Sequence, residues 1–463
     1  MALFTFAEVR EACGGTFSPS VDPEAVIDTV STDSRKAQEN MLFFALEGER
    51  FDAHDFLEDA VRNGAVLLCV SAKKANKIPF GASALLVEDT LKAYQALAAY
   101  HRNRFPALKV IALTGSSGKT SSKEILRSIF QHVYGKDHVL ATEGNTNNQI
   151  GVPQNLLKLN EDHQVAIIEM GTNHHGEIEP LARIALPEAA LIVSIGSCHL
   201  EFLKDLNGVA TEKSHIFVPE TVKTAVFPAG CGGQSIIEQT AAHVSEKVRF
   251  SDAPGAELQM IYHGGNIDGS SFELIDHRSG DRVRVQWNLP GRHQAMNAAG
   301  AAGIALASGL TLEQIAEGIR TVNLPGLRMK KTEHGGALWL NDAYNANPDS
   351  MCAALGWLAE FADPAHLVLA LGDMAEIGKD SMRSHIRVLT YAYETFPGAR
   401  IAAVGFRMTE ALTAMSMVVP KKITAFPSVG EAVEGVRNMV REGDLVFLKG
   451  SRSTGLEILE PQE

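Results

Sequence analysis

Apolar positions along this chain gather into short unbroken runs separated by stretches of helical spacing, the pattern of α/β units rather than of long helices or alternating sheets. From residue 26 to 87, the runs "MLFFAL", "AVLLCV" and "ALLVED" flank a helical pattern near "HDFLEDAVRNG", a small α/β unit. The helical stretch "TLKAYQALAAYHRNRF" follows and stops before Pro106, because the residue preceding a proline is steered away from helix. A second unit then opens with strands "KVIALTG", "HVLAT", "QVAIIEMG" and "AALIVSIG", between helical patterns such as "SSKEILRSIF" and "EIEPLARIAL". Continuous apolar strands alternating with helices predict a mostly parallel sheet covered on both faces. Between residues 258 and 288, "SFELIDH" and "RVRVQWN" alternate with period two around "RSGD", which predicts an antiparallel hairpin appended to that sheet. The Ala- and Gly-rich "HQAMNAAGAAGIALASG" predicts a closely packed helix. In "NLPGLRMKK", Pro325-Gly326 marks a boundary, after which "ALWLNDAY", "HLVLALGDM", "RIAAVG" and "DLVFLKGS" predict a third α/β unit. The expected division is 1–87, 88–325 and 326–463.

Length agrees with this count, since 463 residues at about 100 to 200 per domain imply two to four. Hydrophobic content of 45% and charged content of 21% are those of a soluble globular protein, and no segment offers the ~20 apolar residues of a membrane helix. Glu8, Arg10 and Glu11 interrupt the start of the chain where an export signal would be apolar, so the expected location is the cytoplasm. Cys13, Cys69, Cys198, Cys231 and Cys352 are scattered and form no C-x-x-C pair, which points to neither disulfides nor zinc. A formal charge of -13 argues against a nucleic-acid partner. Small anions are another matter, because helix N-termini and single cations hold them locally.

The stretch "KVIALTGSSGKTSS" is where such an anion belongs. Glycines let backbone amides converge on phosphate oxygens, the following helix contributes its positive end, Lys119 can reach the β and γ phosphates, and the Thr120 hydroxyl can ligate Mg²⁺. The literal G-x-x-x-x-G-K-T pattern is not met, because Leu113 stands five positions before Gly118. Glu169 ends the apolar strand in "VAIIEMGTNHHGEIEP", placed either to hold a metal beside a nucleotide or to cap the next helix; the phosphate loop favours the metal. Adjacent His174 and His175 point in different directions and make a poor zinc pair. Read alone, Lys213 beside Glu212 is a solvated charge and His199 a structural histidine. "DAYNANP", "GDMAEIG" and "LKGSRSTG" each put polar residues after an apolar strand and so could line a cleft.

Together these pieces resemble the Mur ligase family of ATP-dependent peptidoglycan precursor ligases, over nearly the whole chain. "STDSRKAQENMLFFALEGERFDAHDF" is similar to the family's uridine-nucleotide-binding N-terminal domain, and "TGSSGKTS" to its shortened phosphate loop. "EGNTNNQIGVP", "IEMGTNHHGEI", "LPGRHQAMNA", "NDAYNANP", "LGDMAEIG" and "LKGSRS" resemble the branch that adds D-Ala-D-Ala, and the D-N-P-R motif of the branch that adds the third amino acid is missing.

The resemblance implies three domains: a small α/β N-terminal domain binding a UDP-sugar peptide, a central mononucleotide-binding parallel sheet, and a C-terminal Rossmann-like α/β domain. It implies ligation of D-Ala-D-Ala to UDP-N-acetylmuramoyl-tripeptide through an acyl phosphate, with ATP and two Mg²⁺, by a monomer. Lys119, Lys213, His199 and Glu169 are implied as catalytic, with Thr120 and Glu169 at one metal and His199 and a carbamylated Lys213 at the other. Gly115, Ser116, Ser117, Gly118, Lys119, Thr120, Ser121, Asn297, Arg328 and Asp342 are implied as ATP contacts. Ser34, Arg35, Asn147, Asn148, Tyr344, Asn345, Asn347, Lys449, Ser451 and Arg452 are implied as substrate contacts. A folylpolyglutamate-type synthetase or another amino-acid-adding member is the nearest rival; a kinase or a non-hydrolysing nucleotide-binding protein lies further off.

Overall fold

The computed structural model describes residues 3–18, 21–36, 38–48, 51–324, 329–415 and 423–461. Its centre is a nine-stranded sheet. The strands run in the spatial order Arg282–Trp287, Gly269–Asp276, Leu258–Asn266, Glu246–Ser251, Thr224–Pro228, Ala189–Ile192, Lys109–Thr114, Val165–Glu169 and Val139–Ala141. Pairing is parallel from Val139–Ala141 as far as Leu258–Asn266, and antiparallel through the last two strands.

Alternation of side chains sorts this sheet's residues between two cores. Ile111, Leu113, Ile167 and Leu191 pack beneath helices Lys119–Tyr134, Arg292–Ala307 and Leu312–Arg320. Val110, Ala112, Ile168 and Ile192 face the helices Thr90–Asn103, Gly151–Leu156 and Ile178–Ala185. With both faces buried, the strands have to be apolar throughout, which is why they read as unbroken runs. The Ala/Gly-rich helix packs closely as its composition predicts: a Cβ on Gly303 would come within 2.9 Å of Val226 Cγ1.

The hairpin expected from "SFELIDH" and "RVRVQWN" forms, with Phe272 opposite Val285. A third strand, Leu258–Asn266, precedes it and was not anticipated. A register irregularity between Tyr262 and Gly265 breaks the alternation that would have revealed it. Thr224–Pro228 and Glu246–Ser251 likewise extend the parallel part beyond the four strands expected.

The N-terminal unit is a five-stranded sheet ordered Thr16–Ser18, Ala84–Val87, Ala65–Ser71, Met41–Phe44, Thr29–Ser31, beside a two-stranded ribbon of Phe4–Thr5 and Val26–Ile27. Helix Thr90–Asn103 packs Tyr94, Leu97 and Ala98 into one core shared with Phe44, Cys69 and Leu85 on one side and Val110 and Leu181 on the other. The first two units therefore meet through this helix. The C-terminal sheet is ordered Lys330–His334, Ala337–Asn341, Leu445–Lys449, Leu367–Gly372, Arg400–Val404, Ile423–Phe426. Its four inner strands are those the apolar runs predict, and the two half-exposed edge strands carry too much polarity to be read that way.

Candidate active site at the phosphate loop and the domain junction

Strand Lys109–Thr114 delivers the chain to Gly115 at the carboxyl edge of the central sheet, and the sixteen-residue helix Lys119–Tyr134 carries it away. Gly118 caps that helix at φ +79°, and a Cβ there would sit 2.3 Å from Asn297 Oδ1. Backbone conformation and space both require glycine. At Gly115, a Cβ would approach Val193 Cβ to 2.9 Å. The loop is held by Ser194: its carbonyl accepts from Ser116 N at 2.9 Å, and its hydroxyl accepts from Ser117 N and donates to Ser117 O, each at 2.9 Å. Ser116 Oγ also exchanges hydrogen bonds with the Gly196 backbone. The Lys119 ammonium folds back onto Gly115 O at 2.8 Å. Ser121 is buried behind the loop, in the first helical turn, whose N–H groups have no intrahelical acceptors.

Beside the loop stands Glu169, 1% exposed. Its Oε1 accepts from Asn147 Nδ2 at 2.9 Å and lies 3.4 Å from Thr120 Oγ1, while its Oε2 is buried with no hydrogen-bond partner among the described residues. An orphaned carboxylate oxygen is costly, and one next to a hydroxyl at the edge of a phosphate loop is the oxygen donor set a hard divalent cation takes. The residues present fit Mg²⁺.

Lys213 corrects the reading of its residue pair in isolation. Neither it nor Glu212 is solvated; both are 0% exposed, on helix Leu206–Ser214. Glu212 is absorbed in capping helix Ile178–Ala185, accepting from Gly176 N at 2.7 Å and from Glu177 N and Ile178 N at 2.9 Å. Nothing in the sequence around "TEKS" signals that tertiary cap. Lys213 itself has no carboxylate within ion-pair distance among the described residues, and burial pushes its amine down to about 8, with Lys119 and Glu212 as charged neighbours. His199 occupies a left-handed backbone conformation, φ +50°, and its Nδ1 lies 2.6 Å from Glu376 Oε2 of the C-terminal unit, close enough for an ion pair yet poorly aligned for a hydrogen bond. Among the described residues no three His, Cys, Asp or Glu side chains converge on a metal position.

From the C-terminal unit, Lys449 Nζ bonds Asp342 Oδ2 and reaches Asn345 O at 3.4 Å. The His293 ring on the central helix lies near that pair, and burial pushes it down to about 4. Asp349 crosses the same junction, accepting from Ser197 N at 3.0 Å while Arg387 contacts its other oxygen at 3.1 Å. Asn297 is buried against the phosphate loop and donates to Gln294. Ser451 Oγ accepts from Ala375 N at 2.8 Å, fastening the "GDMAEIG" loop to the "LKGSRS" loop.

Other expected contacts are occupied locally. Asn347 caps helix Pro348–Leu358, Asn148 Oδ1 accepts from the N–H groups of Ile150 and Gly151 in the turn leading into helix Gly151–Leu156, and Asn345 Oδ1 accepts from Ala346 N. Arg35 is paired with Asp33, Arg452 with Glu457, and Ser34 O accepts from Asn63. Tyr344 lies in the loop between Asp342 and Asn345. Arg328 is outside the described residues. Ser194, Asp349 and Glu376 escaped the sequence reading. Ser194 stands one residue beyond its strand's last apolar position, the rule that found Glu169; Glu376 sits in the "GDMAEIG" loop already marked as cleft-lining, but its contact and that of Asp349 cross the junction, which no local pattern shows.

Residues 113–305 match the Mur ligase middle domain, 327–452 the Mur ligase glutamate ligase domain, and 26–102 the Mur ligase family catalytic domain. The UDP-N-acetylmuramoyl-tripeptide–D-alanyl-D-alanine ligase of Treponema pallidum is 34% identical over 99% of this chain and 98% of its own length. The chain belongs to the Mur ligase family. It is accordingly an ATP-dependent peptide ligase. The ligase of the same name from Escherichia coli is 36% identical over 94% of this chain and 93% of that one. A crystal structure of MurF from Acinetobacter baumannii superposes with a TM-score of 0.89 at 33% identity, covering 98% and 97% of the two chains. Mur ligase membership thus accounts for the shortened phosphate loop and for three α/β units in this order.

Proposed function

We propose that this chain joins D-Ala-D-Ala to the terminal carboxylate of UDP-N-acetylmuramoyl-tripeptide, with ATP going to ADP and phosphate. Relatives that carry the name of that reaction and align end to end with this chain support the substrates. The observation that carries the chemistry is the wired glycine loop with Lys119, facing a buried carboxylate whose second oxygen has no partner among the described residues.

A carboxylate is a poor acyl donor because its leaving group would be oxide. Transfer of the γ-phosphoryl of ATP to it forms a C–O–P bond and makes phosphate the leaving group; the dipeptide amine then forms the C–N bond and loses a proton. The loop's backbone and Lys119, released from Gly115 O, hold the transferring phosphoryl. Mg²⁺ supplies charge neutralisation between phosphates and carboxylate when bound, at Thr120 and Glu169 and at His199 and Lys213. An ammonium at Lys213 would repel such an ion, whereas a carbamate formed by its neutral amine with CO₂, with loss of a proton, is a two-oxygen anion; an amine depressed to about 8 and lacking a carboxylate partner among the described residues is suited to that reaction. Asn297 and Asp342 contact the nucleotide in this scheme, with Arg328 at the γ-phosphate. Residues 1–87 hold the UDP-sugar, with Ser34 and Arg35, 88–325 hold ATP, and 326–463 bring the dipeptide side, each enclosing the others on closure. The reaction takes place in the cytoplasm, where ATP is available.

Incubating the protein with ATP, Mg²⁺, D-Ala-D-Ala and the UDP-tripeptide should yield the UDP-pentapeptide by mass, dependent on all four. ADP release that ignores the dipeptide would exclude the proposal.

A further inference from the structure

A groove of about 450 Å³ opens at the junction of the central and C-terminal units, lined by Leu200, Glu201, Lys204, Gly378, Lys379 and Arg407. Its floor is a close crossing of the two units: Gly378, at φ +68°, lies so near Glu201 that a Cβ would be 2.8 Å from Glu201 Cα. One end adjoins the candidate site, since Leu200 and Glu201 follow His199 directly and Glu376 of the C-terminal unit lies 2.6 Å from His199.

Three cations and one carboxylate line this groove in a chain of net charge -13. None of the three has a carboxylate within ion-pair distance among the described residues. Arg407 is steadied by donating NH1 to Met374 O at 3.2 Å, its backbone N–H bonds Asp373 Oδ2, and its remaining guanidinium N–H groups are uncommitted among the described residues. Lys204 is held at φ +72°, a conformation a non-glycine residue adopts only at a cost the surrounding structure imposes. Uncompensated cations beside a peptide-bond-forming centre are complementary to a carboxylate.

We propose that Lys204, Lys379 and Arg407 form a carboxylate subsite for a peptide substrate, and that the C-terminal carboxylate of the incoming dipeptide occupies it. This rests on the ligase reading above. A dipeptide spans at most about 7 Å, so a carboxylate held in the groove leaves its amine at the His199 end, where the acyl carbon must be. A side-chain carboxylate on the third residue of the UDP-tripeptide offers the same chemistry from a second source.

The test compares wild type with K379A and R407A, using D-Ala-D-Ala and its C-terminal amide as acceptors, and UDP-tripeptides ending in lysine or in diaminopimelate. The wild type should prefer the acid to the amide by about 10- to 100-fold in kcat/KM, the size of a charged hydrogen bond, and each variant should lose most of that preference by a rise in dipeptide KM with ATP KM unchanged. Variants that keep the full acid preference while losing only the diaminopimelate-over-lysine preference would overturn the dipeptide assignment and move the subsite to the tripeptide. Variants that keep both preferences would overturn the subsite altogether. A wild type that makes no product with either tripeptide would instead refute the parent ligase reading, and the groove's role with it.

Discussion

The phosphate loop and the domain junction are built by different means. Every backbone turn of residues 115–118 is fixed inside one unit, by Ser194, by Asn297 against Gly118 and by the helix that follows. The junction is held by contacts between units such as Asp349 to Ser197 and Glu376 to His199, with His293 of the central unit near the C-terminal unit's Lys449–Asp342 pair. One half of the chemistry is thus preassembled, and the other half is made by the approach of two sheets. The lesson is that ATP should bind without the C-terminal unit's help in placing its phosphates, whereas transfer to the acceptor should depend on closure.

The largest effect should come from the preassembled half. Lys119→Ala should lower kcat by about 100- to 1,000-fold, the usual loss of a positioned transition-state donor, read by ADP release. Glu169→Gln should follow, with a fall in rate and a higher Mg²⁺ requirement in a metal titration; an unchanged Mg²⁺ dependence would separate Glu169 from the metal.

Lys213 sharpens the comparison because function and stability oppose each other there. Lys213→Met should remove activity yet raise the unfolding free energy by ~1 kcal/mol or more, since a lone buried amine is costly. The sign follows from linkage. The native amine titrates near 8 and an unfolded lysine near its ordinary 10.5, so the unfolded chain binds more protons between those values and the native state is penalised below them. In CO₂-free buffer the variant's advantage should therefore be full below about pH 8 and shrink towards pH 10, as chemical denaturation at several pH values would show.

Smaller effects belong to the junction. Glu376→Gln should reduce kcat by about ten-fold or less while leaving nucleotide affinity unchanged, because it weakens an interdomain contact and no phosphate contact. Asp349→Asn should cost less still, since its partners are one backbone N–H and an exposed arginine. A loss of ATP binding in either variant would collapse the distinction between the two halves.

How much of this was legible follows from the same distinction. The inner strands announced themselves because burial on both faces removes polar residues. The edge strands Lys330–His334 and Ile423–Phe426 did not, because an edge needs polarity. The phosphate loop is local chemistry, spelled by Gly118, Lys119 and Thr120 in sequence. Lys213 was legible only through the family resemblance; its own neighbours suggest a surface charge, and its burial is decided by Glu212 capping a helix some 35 residues earlier. Asn148 and Asn347 are implied as substrate contacts by the family resemblance; Asn347 is engaged in capping a helix and Asn148 in accepting two N–H groups of its own turn, the other use of asparagine in such loops. Glu376 lies in the "GDMAEIG" loop that the sequence marks as lining a cleft, but its partner His199 belongs to another unit, so its own contact had no local signal.

The central claim is that a phosphoryl group passes from ATP to the peptide acid. Its most direct test is isotopic. With the tripeptide's terminal carboxylate labelled in both oxygens with heavy oxygen, mass analysis should find one labelled atom in each inorganic phosphate released, because the acyl C–O bond breaks on attack by the dipeptide amine. Unlabelled phosphate, with the displaced heavy oxygen recovered in water or in the nucleotide instead, would contradict the account.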